Sequence, residues 1–209
     1  KESKTVIALG IIVLLLGAFL MLTPLFWMLA TAFTSNKFLA PSSLIPHDVT
    51  FENFLYAWTF PKQFNSNVTM GTFLWNSLFT SVVITAGGII IDSLAAYVLA
   101  FKQFPGRNLF YYMALATLMV PVYVILVPEY LIVVELGWLN SYKALIVPFL
   151  ASGMGISLFR SHFLGLSREL EECAKIDGAS NLRTYASIIM PISKPIIATM
   201  AILKSMWSW

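Results

Sequence analysis

Residues 5–33 read TVIALGIIVLLLGAFLMLTPLFWMLATAF, a run with no charged side chain. A bilayer core about 30 Å thick needs roughly 20 helical residues, so this run is long enough to cross one as a single helix. It also exceeds the roughly 7–15 apolar residues of a cleavable signal peptide, so the helix is expected to be retained. Three further runs reach spanning length: Thr72–Phe101, Leu109 to about Glu135, and Ala144–Phe163. A fifth starts near Pro195 and reaches Trp209. Because the chain opens at Lys1 and ends inside that apolar run, the fifth span is expected to be cut short and the intact chain to carry six. In the third run Pro121 and Pro128 each remove a backbone donor and crowd the preceding turn, which predicts a kinked or interrupted helix.

Composition leads to the same class. Of 209 residues 58% are hydrophobic and only 11% charged, with mean hydropathy +0.80, whereas soluble domains are about a quarter charged. The expected fold is an all-α, polytopic helical membrane protein with five visible spans. The formal charge of +3 is too small to imply nucleic-acid binding. The lone Cys173 excludes an internal disulfide and a cysteine-based metal cluster, and His47 and His162 fall on different expected sides of the membrane.

Basic residues set the orientation. With a cytoplasmic amino terminus, the inside segments and span ends hold Lys1, Lys4, Lys102, Arg107, Arg160, Arg168, Lys175, Arg183 and Lys194. The outside segments hold Lys37, Lys62 and Lys143, and Lys204 is left inside a span. This bias places residues 34–71 outside the cell and 165–191 in the cytoplasm. In the outer segment Thr50 is positioned to cap a short helix whose Phe51, Phe54, Leu55 and Trp58 share a face. That face suits either lipid headgroups or an external binding protein.

The inner loop is built as two short helices. Ser167, Glu169 and Glu171 make a helix start, with a capping hydroxyl and acidic groups near the positive end of the dipole. Leu170, Cys173 and Ala174 are expected on one face of it. Gly178 suits the left-handed turn that ends a helix, and Ser180 caps a second helix in which Leu182, Tyr185 and Ile189 share a face. Pro191 is expected to stop that second helix before the next span. A merely solvated connector would account for the basic residues, but not for the joint spacing of Glu172-Cys173-Ala174, Asp177-Gly178-Ala179 and Ile188-x-Met190-Pro191.

That spacing resembles the EAA loop of importer permeases of the ATP-binding cassette class, which runs Glu-Ala-Ala, three residues, Gly, nine residues, Ile-x-Leu-Pro. The resemblance extends along most of the chain and favours the carbohydrate-importer subgroup that includes the maltose permease subunits. Matching stretches are Thr50-x-x-Asn53-Phe54, Asn76-Ser77-Leu78, Ala95-Ala96-Tyr97-x-Leu99-Ala100, Phe104-Pro105-Gly106-Arg107, Pro121 with Pro128-x-Tyr130, and Leu170–Ala179. Cys173 stands for the first alanine of the pattern, Met190 for leucine, and Glu129 for a usual apolar residue.

The resemblance implies a single transmembrane permease domain over residues 1–209, in a bacterial or archaeal plasma or inner membrane. It implies a second permease subunit, two ATPase subunits that hold ATP and Mg, and an extracytoplasmic solute-binding protein, the cargo being a sugar or oligosaccharide. Glycerol phosphate or another polar solute is the alternative. Glu172 would contact an arginine in a cleft of the ATPase subunit, Cys173 and Ala174 would pack into that cleft, and Asp177, Gly178 and Ala179 would form the turn. The chain has no Gly-x-x-x-x-Gly-Lys-Ser/Thr phosphate loop, so no cofactor is expected on it and it is not expected to be an enzyme.

Two charges lie deep in spans. Asp92 stands nine positions before Phe101 and Lys204 nine after Pro195, which at 1.5 Å per residue puts each about 13–14 Å from a cytoplasmic end. Equal depth and opposite sign suggest a structural pair, with a cavity-facing solute site and independent hydration as alternatives, since a lone charge there costs about 2.5–3.5 kcal/mol or more. An ion-coupled secondary transporter, the reading from another class, calls for internal repeats and midplane carboxylates on several helices. Only Asp92 approaches that here.

Overall fold

Eleven α-helical segments and no β-strand occur among the described residues of the computed structural model, which are 4–35, 49–63 and 68–209. Lys1, Lys37, His47 and the parts of the 34–71 segment at 36–48 and 64–67 lie outside them. The chain divides into two compact units, residues 1–74 and 75–209.

In the first unit, α1 (Lys4–Ala32) runs unbroken through Pro24. It is apolar all round and its side chains are exposed along almost its whole length, the pattern of a helix whose solvent is lipid. The carbonyls at a helix end have no partner within the helix, and here α2 (Glu52–Thr59) supplies one. Asn53 Nδ2 donates to the carbonyls of Ala32 at 3.0 Å and Thr34 at 2.7 Å. Phe33 packs edge-on against Phe51 and tilted against Phe54, with centroids 5.5 and 5.2 Å apart. Thr50 does act at the start of α2, its hydroxyl accepting the Glu52 N–H at 3.2 Å. The helix presents Phe51 and Leu55 outward.

The second unit is organised by α3 (Met70–Phe101), most of which belongs to it. Gly88, Asp92, Ala96 and Ala100 are buried at four-residue intervals, so one stripe of small residues lets other helices approach the backbone closely. Ala96, Tyr97 and Ala100 pack in one core with Phe159 and Phe163 of α7 (Gly153–Leu164), Met200 of α11 (Lys194–Ser208), and Tyr185 and Ile189.

The third apolar run is interrupted, as its prolines imply. Arg107–Met119, comprising α4 (Arg107–Ala116) and a 3₁₀ turn, meets α5 (Val122–Glu135) at a bend of 102°. The break is at Pro121, whose extended backbone (ψ 136°) starts α5, while Pro128 is absorbed inside α5. The fourth run is less regular than a single helix. It forms α6 (Tyr142–Ile146), a 3₁₀ turn Val147–Phe149 holding Pro148, an extended Ser152, and then α7.

One expectation fails at Pro191. The second loop helix is not stopped there: α9 (Asn181–Thr184) continues as a π-helical turn over Tyr185–Ile189 and then α10 (Met190–Ile192). A proline ring clashes with the carbonyl four residues earlier. Here the wide turn, closed by the Met190 N–H on the Tyr185 carbonyl, has already shifted that carbonyl ladder. The chain instead bends by 82° at Ser193, between Asn181–Ile192 and α11.

Candidate functional site

The loop between α7 and α11 folds into a helical knob. Glu169, Glu171 and Glu172 occupy the first turn of α8 (Glu169–Ile176), and Ser167 Oγ accepts the Glu169 N–H at 3.3 Å. The helix closes on Gly178, whose φ of +75° is the left-handed conformation glycine adopts without strain. The Ala179 N–H bonds back to the Ala174 carbonyl at 2.9 Å and the Gly178 N–H to that of Lys175 at 3.0 Å, the paired bonds of a Schellman ending. Ser180 Oγ then accepts the Arg183 N–H at 3.3 Å and starts α9.

Burial sorts the knob into two surfaces. Glu172, Cys173, Ile176, Asp177, Gly178 and Leu182 are exposed, with Ile176 at 85% and Leu182 at 67%. Ala179 is half-buried. Ala174 is not on the outer surface with Cys173. It is 3% exposed, because it lies three residues from the buried Glu171, on the inner face of the same helix. Leu182 likewise parts from the buried Tyr185 and Ile189 and faces outward.

Glu171, expected from sequence only as an acidic group at the helix start, fastens the knob to the end of α3. Its carboxylate forms ion pairs with Lys102 and, at 3.0 Å, with Lys175, while Lys102 Nζ also donates to Asn181 Oδ1 at 2.7 Å. Burial would raise the Glu171 carboxyl, but the hydrogen bonds from Lys102 and Lys175 prevail and hold it below its ordinary value. For Lys102 burial works downward, and the Glu171 contact prevails and raises the ammonium. The i,i+4 spacing of Glu171 and Lys175 is visible in sequence, but the approach of Lys102 is a tertiary event.

Within the spans, Lys204 Nζ of α11 lies 2.9 Å from Asp92 Oδ2 of α3. Asp92 is fully buried and Lys204 nearly so. Ser152, the N-cap of α7, donates its N–H to Asp92 Oδ1 at 2.8 Å and its hydroxyl to Oδ2 at 2.9 Å. The same Oγ accepts the Gly155 N–H at 3.0 Å. The carboxylate therefore sits at the positive end of α7 as well as against an ammonium. Two glycines make room: a Cβ on Gly155 would lie 1.9 Å from Asp92 Oδ2, and one on Gly88 2.5 Å from Lys204 Nζ. Ser152, Gly155 and Gly88 carry no sequence signal beyond being small.

Beside this pair is a cavity of about 380 Å³ between α3, α7 and α11, whose lining includes Thr80, Phe149, Ser152, Lys204, Trp207 and Ser208.

Comparison with known proteins places these features. Residues 88–209, which hold the ion pair and the whole knob, match the family described as binding-protein-dependent transport system inner membrane component. The sn-glycerol-3-phosphate transport system permease protein UgpE of Brucella suis biovar 1 (strain 1330) is 34% identical over 203 residues, covering 96% of this chain and 72% of that protein. The protein of the same description from Yersinia pestis is 35% identical over 200 residues, covering 95% and 71%. A chain of a bacterial ABC transporter involved in the import of the acidic polysaccharide alginate shares the fold, with TM-score 0.81 and 24% identity over all of this chain and 73% of that one.

Proposed function

Because the chain belongs to the family of inner membrane components of binding-protein-dependent transport systems, it is a permease subunit of an ATP-binding cassette importer, and we propose that its α8–α9 knob couples ATP hydrolysis in partner subunits to the import of a sugar or oligosaccharide. The observation that carries the coupling role is the surface of the knob. Glu172 and Cys173 stand out from a short helix closed by a left-handed glycine, next to exposed Ile176 and Leu182. An exposed carboxylate with the apolar Ile176 one turn further along the helix suits an arginine in a complementary cleft. Ala174 supports that surface from beneath, and Asp177, Gly178 and Ala179 set its turn.

In this reading the amino terminus and residues 165–191 are cytoplasmic, and residues 34–71 face the binding protein. A second permease subunit completes the pore, and two ATPase subunits bind ATP and Mg. When those subunits close, the knob moves with them. The Lys102–Glu171 contact passes the displacement to α3, and the spans rock from inward-facing to outward-facing.

A second cargo reading, glycerol phosphate, is favoured by the relatives named for sn-glycerol-3-phosphate transport. One preparation tests both cargo and assembly. The importer purified in mild detergent should retain two ATPase subunits and a second permease. In proteoliposomes with its binding protein it should take up radiolabelled maltose on the first reading and radiolabelled sn-glycerol 3-phosphate on the second. Uptake of neither, or loss of the ATPase subunits from otherwise intact preparations, would overturn the proposal.

A further inference from the structure

The segment that follows the knob grips α3 a second time, well inside the span. Tyr185 and Ser93 bring their hydroxyl oxygens to 2.7 Å, and both residues are buried, Ser93 completely. Ser93 Oγ already donates to the Ile89 carbonyl at 2.5 Å, so the proton between the two hydroxyls is that of Tyr185, which donates. Ser93 stands nine residues before Lys102, which at 1.5 Å per residue is about 13–14 Å along the helix.

Packing alone does not call for a hydroxyl here. Tyr185 shares an apolar core with Ala96, Phe163 and Ile189, its ring tilted against that of Tyr97 at 5.5 Å, and a phenylalanine ring fills the same space. A buried O–H costs free energy unless it is bonded, so the contact with Ser93 brings little net stability. What it fixes is position.

We propose that the Tyr185 hydroxyl is a positioning group for coupled transport, holding the knob to α3 at a second depth so that a displacement of the knob tilts α3 instead of turning about Lys102; the inference rests on the importer reading above.

At the cytoplasmic end Lys102, on a flexible stem, holds Glu171 and Asn181. A single contact of that kind is a pivot. Tyr185 follows Asn181 by one helical turn, its N–H bonded to the Asn181 carbonyl, so both grips belong to one continuous helical segment. Two points on that segment held to two points on α3 remove the rotation that one contact allows. The residue before Ser93 is Asp92, which accepts the Ser152 N–H at the start of α7 at 2.8 Å. A tilt of α3 at this depth is therefore carried into α7. The 82° bend before α11 lies at Ser193, beyond both grips.

Stability and coupling respond differently to three variants, read in the assembled importer in proteoliposomes with its binding protein. Tyr185→Phe strands no donor, since Ser93 keeps its bond to Ile89, so the ATPase subunits should stay bound and the thermal midpoint should hold. Solute imported per ATP hydrolysed, measured with radiolabelled maltose and sn-glycerol 3-phosphate side by side, should fall about fivefold, the effect of losing about 1 kcal/mol. Stimulation of ATPase activity by the binding protein should fall with it, a readout that needs no labelled solute. Ser93→Ala strands the Tyr185 O–H and should lower the thermal midpoint as well. The double variant strands nothing, so its midpoint should recover while its coupling stays lost. Coupling that recovers together with the midpoint would make the contact structural and overturn the proposal. Full coupling in Tyr185→Phe, or failure of that variant to assemble, would overturn it too. Glu172→Lys in the same preparation separates the two readings: coupling retained there sinks the role of the knob, whereas coupling lost there and kept in Tyr185→Phe sinks the second grip alone.

Discussion

Asp92 accepts the Ser152 N–H, the Ser152 hydroxyl and the Lys204 ammonium in a fully buried position, so removing any one donor leaves a charge in low dielectric with less to hold it. Asp92→Asn or Lys204→Met alone strands the partner charge and should lower the stability of the assembled complex by about 3–5 kcal/mol, while the double variant should recover much of that. Thermal midpoints of the two singles and the double complete the cycle, and additive losses would dissolve the pair. Gly155→Ala acts by crowding, since its Cβ would lie 1.9 Å from Asp92 Oδ2. It should destabilise the complex about as much as losing the carboxylate, but should be far milder once Asp92 is alanine. The pairing of Asp92 with Lys204 is legible because helix rise is constant, so counting residues from two span ends gives equal depths. Ser152, Gly88 and Gly155 are not legible, because their part depends on how closely α7 and α11 approach α3, which no local pattern encodes.

The knob formed by α8 and α9 separates docking from anchoring, and the two respond to different changes. Glu172→Lys alters only the outer surface, so the chain should stay in the membrane while solute-stimulated ATPase activity and uptake are lost together. Gly178→Val forces a β-branched residue to φ +75°, a strain of about 1–3 kcal/mol, with no side-chain clash because nothing lies near its Cβ. It should uncouple transport by distorting the same surface. Anchoring depends on Glu171, whose carboxyl lies below the ordinary value of 4.5. A depressed folded value means the unfolded chain binds more protons, so this contribution is present above 4.5 and is lost as pH falls through the lowered value. The raised Lys102 contributes fully below 10.5 and loses its part only as pH rises through its higher value. Protection of the α8 amides, taken relative to their intrinsic exchange rates at each pH, should therefore be flat through neutral pH and fall in acid, and Glu171→Gln should abolish much of the acid step. Capping by Ser180 and the turn at Gly178 are readable from short-range chemistry. The inward face of Ala174 and the passage of the helix through Pro191 are not, since one depends on which side of α8 meets the core and the other on a π-helical turn.

Orientation of the chain depends on how many runs actually cross, and the bend of 102° between Arg107–Met119 and α5 leaves two geometries for the third. A broken span carries the chain across the membrane. A re-entrant loop returns it to the side it left, which would put residues after Glu135 on the same side as those before Arg107. The distribution of basic residues argues for crossing. With a crossing, Lys102, Arg107, Arg160, Arg168, Lys175, Arg183 and Lys194 share one side while Lys143 stands on the other. With a re-entrant loop, the basic cluster at Lys102 and Arg107 and that at Arg168–Lys194 face opposite compartments, against the usual bias toward the cytoplasm. The 23-residue segment Tyr142–Leu164 then separates Lys143 from the knob in either case. Single cysteines at Asn108, Lys143 and Arg183, all in a Cys173→Ala background, discriminate the two in sealed vesicles of known sidedness. An impermeant thiol reagent should reach Lys143→Cys from the outside only, and Asn108→Cys and Arg183→Cys from the inside only. Asn108→Cys labelling together with Lys143→Cys would make the third run re-entrant. Asn108→Cys and Arg183→Cys both labelling from outside, with Lys143→Cys from inside, would invert the orientation, and either result that puts Arg183 outside removes the knob from the compartment that holds ATP.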